Sequence, residues 1–283
     1  MTRHNNRAWL LLLPALTLLG VVGLLPLLTI INYGFHDIFS LQNIHWVSPQ
    51  WFADIITAPL FHASFARSLL FSTLAIAIQL PLGIAIALLL LPFGTRAVWG
   101  LMLCALPLVV PWNMIPVMWL QLIGDGGLLG PALDTIGFDY KFTALHTWVL
   151  ILLVDTWHWL GLVVILSYAG LSSIPQAYRQ AAAIDGASRV AVFRYIELPR
   201  IAGALMIVLL LRFVDSFMIY TEAFAINAGG PNDATRFLSV ELGEEIKGFS
   251  YGQAAARAGL YFLIVLSVVW AFVTVSRRRE GAA

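Results

Sequence analysis

Charge is scarce in this sequence. Its 283 residues include 16 basic and 15 acidic side chains, 11% of the chain, whereas a soluble domain carries about 25%. With 60% hydrophobic residues and a mean hydropathy of +0.86, so few charges cannot cover the surface of a water-soluble fold of this length. Cysteine is scarcer still. Cys104 stands alone inside an apolar run, which excludes a disulfide framework and a cysteine-based metal site and leaves it the role of a small packing residue. A phosphate loop of the form G-x-x-x-x-G-K-S/T is missing, so this chain is not expected to hydrolyse ATP. Ser, His and Asp occur within apolar runs, but no nucleophile motif frames them, which argues against an intramembrane hydrolase. A net charge of +1 gives no reason to expect a nucleic-acid partner.

Long apolar sequence is what the chain has in abundance. Windows of about twenty apolar residues fall at roughly 8–33, 65–91, 98–123, 145–170, 201–226 and 255–275. They are continuous and not alternating, which excludes a transmembrane barrel. The expected fold is therefore an all-α integral membrane protein with six transmembrane helices, forming one transmembrane domain over residues 1–283. Arg3, His4 and Arg7 precede the first window as they would in a secretory signal. The run from Ala8 to Tyr33 is too long for a signal's apolar core, however, and reads as an uncleaved span. Pro14, Pro26, Pro81, Pro107, Pro111 and Pro116 lie inside the windows and are expected to kink helices, not to break them. The third window, with three of these prolines, is the most irregular, and irregular backbone at membrane depth must be buried in protein or line a cavity. Trp148 and Trp270 read as anchors at the membrane interfaces, and Trp157 as a packing residue.

An even number of spans places both termini on one side, and the distribution of Lys and Arg decides which. Arg3, Arg7, Arg96, Arg179, Arg189, Arg194, Arg200, Arg277, Arg278 and Arg279 share the side of the termini; Lys141, Arg236 and Lys247 lie opposite, with Arg67 and Arg257 at span edges. The bias makes both termini cytoplasmic, so the segment 171–200 is a cytoplasmic loop. Within it, Gln180 to Ala183 are strong helix formers, and Gly186 permits a bend or close backbone approach. Val192, Phe193, Ile196 and Leu198 form a second, moderately apolar segment, and Pro199 ends the loop at the next span. The small residues Ala181, Ala182, Ala183 and Ala187 around Gly186 make a surface that another protein can approach closely. Together these features describe a short docking helix.

At these residues the chain resembles the permease subunits of bacterial ATP-binding-cassette importers. In that family a loop of pattern Glu-Ala-Ala, three residues, Gly, nine residues, Ile-x-Leu-Pro carries the coupling helix. The matching residues are Gln180, Ala181, Ala182, Gly186, Ile196, Leu198 and Pro199, while Asp185, Ala187 and Phe193 narrow the resemblance to the carbohydrate-uptake branch of maltose, trehalose and glycerol-type transporters. Gln180 departs from the usual Glu and removes a charge that a basic group on the ATPase could pair with; a hydrogen bond can replace it. The resemblance covers all six spans and includes Asn227-Ala228-Gly229-Gly230-Pro231, similar to the family's Asn-Gly-Gly-Pro stretch. It implies residence in the bacterial inner membrane and a second homologous permease, usually non-identical in this branch. It also implies two cytoplasmic ATP-binding subunits that hold the ATP and Mg, an external solute-binding protein, and a small-molecule solute. Moving with the ATPase, the docking helix would rock the bundle between inward-open and outward-open states.

Ionisable residues inside spans are functional candidates by default. Counted back from the loop without gaps, the sugar-contacting positions of the maltose-type permeases fall on Asp155, His158, Trp159 and Leu162; counted forward from Pro199, they fall on Asp215, Ser216 and Ile219. Trp112 and Asn113 lie near the contact region of the third span. Position carries over here and residue identity does not, which implies a different solute, and Trp159 in place of a small residue points to a smaller one. Aromatic faces among donors and acceptors suit a sugar ring, and acidic side chains disfavour an anion, so a neutral carbohydrate or polyol is expected. Two local pairings compete with solute contact: Arg212 with Asp215 at i and i+3, and Asp155 with His158, one helical turn apart. A proton-coupled secondary transporter using Asp155, His158 and Asp215 as a relay is the rival function, but it gives no reason for the loop, and the internal repeat common in such carriers is not evident. If the solute reading holds, Asp155→Ala or Asp215→Ala should impair uptake while leaving assembly with the ATPase intact; normal transport kinetics in both variants would count against it.

Overall fold

The computed structural model describes residues 8–40 and 43–280, with side chains over 10–38 and 43–274. Arg3, His4 and Arg7 thus lie outside the described residues, as do the side chains of Arg277, Arg278 and Arg279. Among the described residues, five stretches are long and apolar enough to cross a bilayer: Leu10–Tyr33, Pro59–Val109, Ala144–Ser172, Arg189–Asn227 and Tyr251–Thr274.

The first stretch is built from α1 (Ala8–Leu19), a π-helical turn (Gly20–Leu24) and α2 (Leu25–Tyr33). Pro14 is absorbed inside α1, and Pro26 starts α2, where its missing N–H costs nothing. An antiparallel hairpin follows, β1 (His36–Ser40) on β2 (Asn43–Trp46), then α3 (Gln50–Thr57). The second stretch joins α4 (Pro59–Leu90) to α5 (Ala97–Val109) through a 3-10 turn at Leu91–Arg96. Its 51 residues would reach about 75 Å as one helix, more than twice the hydrocarbon thickness. Gly94, at φ 54° and ψ −123°, breaks the path with a backbone conformation that a side chain would oppose.

The third window was expected to be one kinked span over 98–123, and it is broken instead. α5 ends at Val109, and α6 (Met114–Ile123) starts anew. The cause is Pro111: the ring of a proline drives the preceding residue out of the helical region, and Val110 is extended at ψ 130°. Pro107 and Pro116 are tolerated inside their helices. The short helix α7 (Gly130–Thr135) leads to α8 (Ala144–Ser172), and the loop contains α9 (Gln176–Ile184), α10 (Arg189–Val192) and a π-helical turn at Phe193–Glu197. The fifth window is likewise divided, into α11 (Leu198–Phe217) and α12 (Thr221–Asn227). The carbonyl of Ile219, freed at that break, is taken by the hydroxyl of Ser239, as a buried polar group requires. α13 (Leu238–Lys247) and α14 (Tyr251–Glu280) complete the chain.

These elements cluster into two compact units, one of residues 1–62 and 241–267, the other of residues 63–240 and 268–283. In the first, Phe35 stacks on Trp46 at 5.5 Å and meets Phe52 at 5.3 Å. Arg257, expected at a span edge, is buried there and bonds Glu245 at 2.6 and 2.9 Å, Glu241, and the hydroxyl of Tyr261 at 3.3 Å. In the second unit a core of Phe71, Ile115, Ile151, Val154, Ala223 and Phe237 joins α4, α6, α8 and α12. Trp148 packs on this core against Phe71 and Phe237, and its indole N–H donates to the carbonyl of Ala234 at 2.9 Å. Trp157 packs as expected, edge-on to Trp119, and Trp270 is exposed on α14.

Small residues let α8 approach its neighbours closely, the usual device where lipid supplies no hydrophobic drive between helices. A Cβ at Gly161 would lie 2.0 Å from the carbonyl oxygen of Cys104 on α5, and one at Gly83 on α4 would lie 2.5 Å from Val163 Cγ1. Gly161→Leu should therefore lower the thermal unfolding temperature of the detergent-solubilised protein, overpacking costing about 1–3 kcal/mol or more. Gly203→Ala, with nothing within 4 Å of the added atom, should leave it unchanged.

Candidate functional site

On α8, Asp155, His158, Trp159 and Leu162 occupy positions i, i+3, i+4 and i+7 and so share one helical face. The structure gives each a different neighbour. Asp155 is buried and accepts hydrogen bonds from Gln79 Nε2 and Arg212 Nη2, both at 2.7 Å. Arg212, 2% exposed, also donates through Nε to Gln79 Oε1 at 2.7 Å and through Nη1 to Asp215 Oδ2 at 2.6 Å. The amide of Gln79 thus gives to the carboxylate and takes from the guanidinium, so that α4, α8 and α11 meet in one satisfied network. The guanidinium carbon lies 4.9 Å from the Trp159 ring centroid, which adds a cation–π contact.

Of the two pairings anticipated from spacing, Arg212–Asp215 forms and Asp155–His158 does not. The carboxylate of Asp155 is held by a full positive charge and an amide, a stronger combination than a neutral imidazole offers. His158 is left buried with Nδ1 lacking a hydrogen-bond partner among the described residues, its ring 4.7 Å from Trp159. Trp112, in the break between α5 and α6, brings its ring edge-on to Trp159 at 5.8 Å and to His158 at 6.2 Å. Its Nε1 donates to Glu222 Oε1 on α12 at 3.1 Å. The irregular third span therefore delivers an aromatic side chain to the polar cluster. Asn113 is exposed beside it.

Trp159, Leu162, Arg212 and Asp215 line an open cavity of about 460 Å³ together with Leu210, Leu211, Val214 and Val269. Ser216 and Ile219 point elsewhere. The Ser216 hydroxyl is buried and bonds the carbonyl of Arg212 at 2.5 Å, and Ile219 packs in the core. Sequence reasoning did not single out Gln79. Its signal is an amide in the apolar run Ala75–Leu90, where an isolated polar group needs a partner.

The loop is equally specific in its geometry. Gln180, Ala181 and Ala182 lie within α9, which closes with a Schellman motif: the N–H of Ala187 bonds the carbonyl of Ala182 at 2.9 Å, and that of Gly186 bonds Ala183 at 3.2 Å. Gly186 takes φ +69°, the left-handed value that this cap demands and glycine supplies. Asp185 is the C-cap, Phe193 and Ile196 are half-buried in the π-helical turn, and Leu198 and Pro199 open α11. Three large apolar side chains face outward: Ile184 at 87%, Val190 at 74% and Tyr195 at 72% exposure. Beneath them Glu197 is 0% exposed and bonds Arg179 Nε at 2.7 Å and Arg189 Nη1 at 2.6 Å.

Apolar helices long enough to cross a bilayer, a largely apolar cavity edged by Trp159, Arg212 and Asp215, and a loop with exposed apolar side chains suit a membrane transport subunit. The chain belongs to the family described as binding-protein-dependent transport system inner membrane component, whose profile matches residues 55–280, and it is accordingly a multi-pass inner-membrane protein. It is 26% identical to the trehalose/maltose transport system permease protein MalF of Thermococcus litoralis, covering 98% of this chain and 96% of that one. It is 28% identical to the sn-glycerol-3-phosphate transport system permease protein UgpA of Yersinia pestis, covering 92% and 90%. Its fold matches a chain in the crystal structure of a bacterial ABC transporter involved in the import of the acidic polysaccharide alginate, with TM-score 0.81 and 20% identity over 96% of each chain.

Because Arg212 is balanced from two helices, Arg212→Met should leave Asp155 buried without its cation and cost about 3–5 kcal/mol, read as a fall in thermal unfolding temperature in detergent. Adding Asp155→Leu to that variant should restore at least half of the loss.

Proposed function

We propose that this chain is a membrane-spanning subunit of an ATP-driven importer that carries a neutral carbohydrate or polyol by alternating access. The observation that carries the coupling is the loop. Ile184, Val190 and Tyr195 project into solvent from a helix pair whose cap is fully formed, and apolar groups presented this rigidly mark a docking face. The occupant is a cytoplasmic ATP-binding subunit, one of two, which holds ATP and Mg; this chain serves transport and not hydrolysis. A second permease, non-identical, completes the pathway, and an external binding protein delivers the solute. With α4 and α5 counted as separate crossings about Gly94, the chain has six spans and both termini in the cytoplasm. That topology puts α9 and α10 on the ATPase side.

Chemistry supports the solute class. The indole of Trp112 lies edge-on to both Trp159 and His158, His158 has a ring nitrogen without a hydrogen-bond partner among the described residues, and Asp215 reaches the cavity. Such a set can take the hydroxyls and apolar face of a sugar. Arg212 pairs with both Asp155 and Asp215, while Glu222 nearby takes the indole N–H of Trp112. The surplus of carboxylates disfavours an anionic cargo, in contrast to the phosphate and acidic polysaccharide in the names of two relatives. Asp155 and Asp215 are bridged by Arg212, whose guanidinium offers donors and no acceptor, so the network does not favour a relay.

In proteoliposomes containing the assembled transporter, uptake from a panel of neutral sugars and polyols should require ATP and survive an uncoupler. Trp159→Ala should raise KM for the transported member about 3- to 10-fold, the loss of one aromatic contact. Uptake that persists without ATP and collapses with the uncoupler would overturn the mechanism, and a preference for sn-glycerol-3-phosphate over glycerol would overturn the neutral-solute assignment.

A further inference from the structure

The joint between α9 and α10 is weak in its backbone. It consists of Gly186 at φ +69°, Ala187, and the extended N-cap Ser188 at ψ 155°, residues that by themselves allow the two helices to hinge. What crosses the joint is Glu197. It is the last residue of the π-helical turn, and Leu198, the first residue of α11, follows it directly. One of its oxygens takes Arg179 from α9 and the other takes Arg189 from α10. Arg179 reaches further, donating through Nη2 to the carbonyl of Leu171 at 2.8 Å and through Nη1 to that of Ile174 at 3.4 Å, at the end of α8 where helix carbonyls lack partners. Charge-assisted hydrogen bonds to a fully buried carboxylate are short, directional and shielded from competing water. On the outer face Arg200 of α11 stacks 3.6 Å over the ring of Tyr178 of α9, an exposed contact and hence a weaker one. α11 then rises from Glu197 to Arg212, which is tied to α8 and α4 through Asp155 and Gln79.

We propose that Glu197 is a positioning residue for energy coupling: it cross-braces α9 and α10 to the base of α11, so that a push on the loop moves α11 and the cavity wall it carries instead of bending the joint at Gly186. This rests on the reading of the chain as an ATP-driven permease. It locates the transmission at a carboxylate that never touches the ATPase. Neither the spacing pattern of the loop nor its exposed face contains Glu197, and sequence reasoning passed over it as the unspecified position between Ile196 and Leu198.

The test needs no knowledge of the solute. In a Cys104→Ser background, Leu162→Cys places a single thiol on the cavity wall, and its maleimide labelling rate is measured in the assembled transporter with and without ATP plus vanadate. The parent should show a change of about tenfold, within the usual range of coupling between sites. Glu197→Ala and Glu197→Gln should retain the ATPase subunits on co-purification and continue to hydrolyse ATP, while the labelling change shrinks below about twofold. Arg179→Met combined with Glu197→Met should recover most of the change, because an apolar pair can replace a buried ion pair as a mechanical tie and the half-exposed Arg189 can turn to water. Glu197→Gln, which keeps the volume and one acceptor, stands in if the alanine variant fails to insert. An undiminished labelling change in both Glu197 variants overturns the proposal, as does loss of the ATPase subunits from both, which would make Glu197 a folding residue only. A parent whose labelling ignores ATP overturns instead the reading on which the proposal rests.

Discussion

The buried charge of Arg212 is the constraint around which this bundle is organised. A guanidinium at the centre of an apolar helix array is unaffordable alone, and every donor it carries toward the interior has been given an acceptor: Asp155 from α8, Gln79 from α4 and Asp215 one turn along α11. These partners fix the rotation of three helices about their own axes, since a different face of any of them would strand a charge. The apolar core and the glycine contacts at Gly83 and Gly161 set how close the helices come. The ionic network sets which faces meet.

Fixing those faces has consequences for the cavity. With Asp155 turned toward Arg212, the same face of α8 presents Trp159 and Leu162 to the open volume and leaves His158 buried against Trp112 with a ring nitrogen unsatisfied. Breaking the third span at Pro111 is part of the same arrangement, because a continuous helix there could not release Trp112 to reach Glu222. The polar and aromatic groups near the cavity are therefore held in place by the same contacts that pack the helices.

At the other end of α11 the problem is mechanical. A loop built from two short helices and a glycine joint is free to bend unless it is tied, and a buried carboxylate gripped by arginines from both helices ties it. α11 joins the two ionic centres, Glu197 at its base and Arg212 about 23 Å along its axis at 1.5 Å per residue.

Sequence alone determined the membrane setting, the helical class and the local form of the loop, because each of these depends on composition or on spacing along the chain. Hydropathy reports the solvent directly, and the positions of Gly186, Pro199 and the alanines reflect local rules of capping and helix initiation that need no distant partner. Arg212 with Asp215 was legible for the same reason, being one turn apart. Only the tertiary structure decided that Asp155 belongs to Arg212 and not to His158, that Gln79 joins them from 76 residues away, that Ser216 and Ile219 turn from the cavity, and that Glu197 sits under two arginines. Those are choices among partners separated in sequence, and they are made by which helix faces can pack while leaving no charge unpaired.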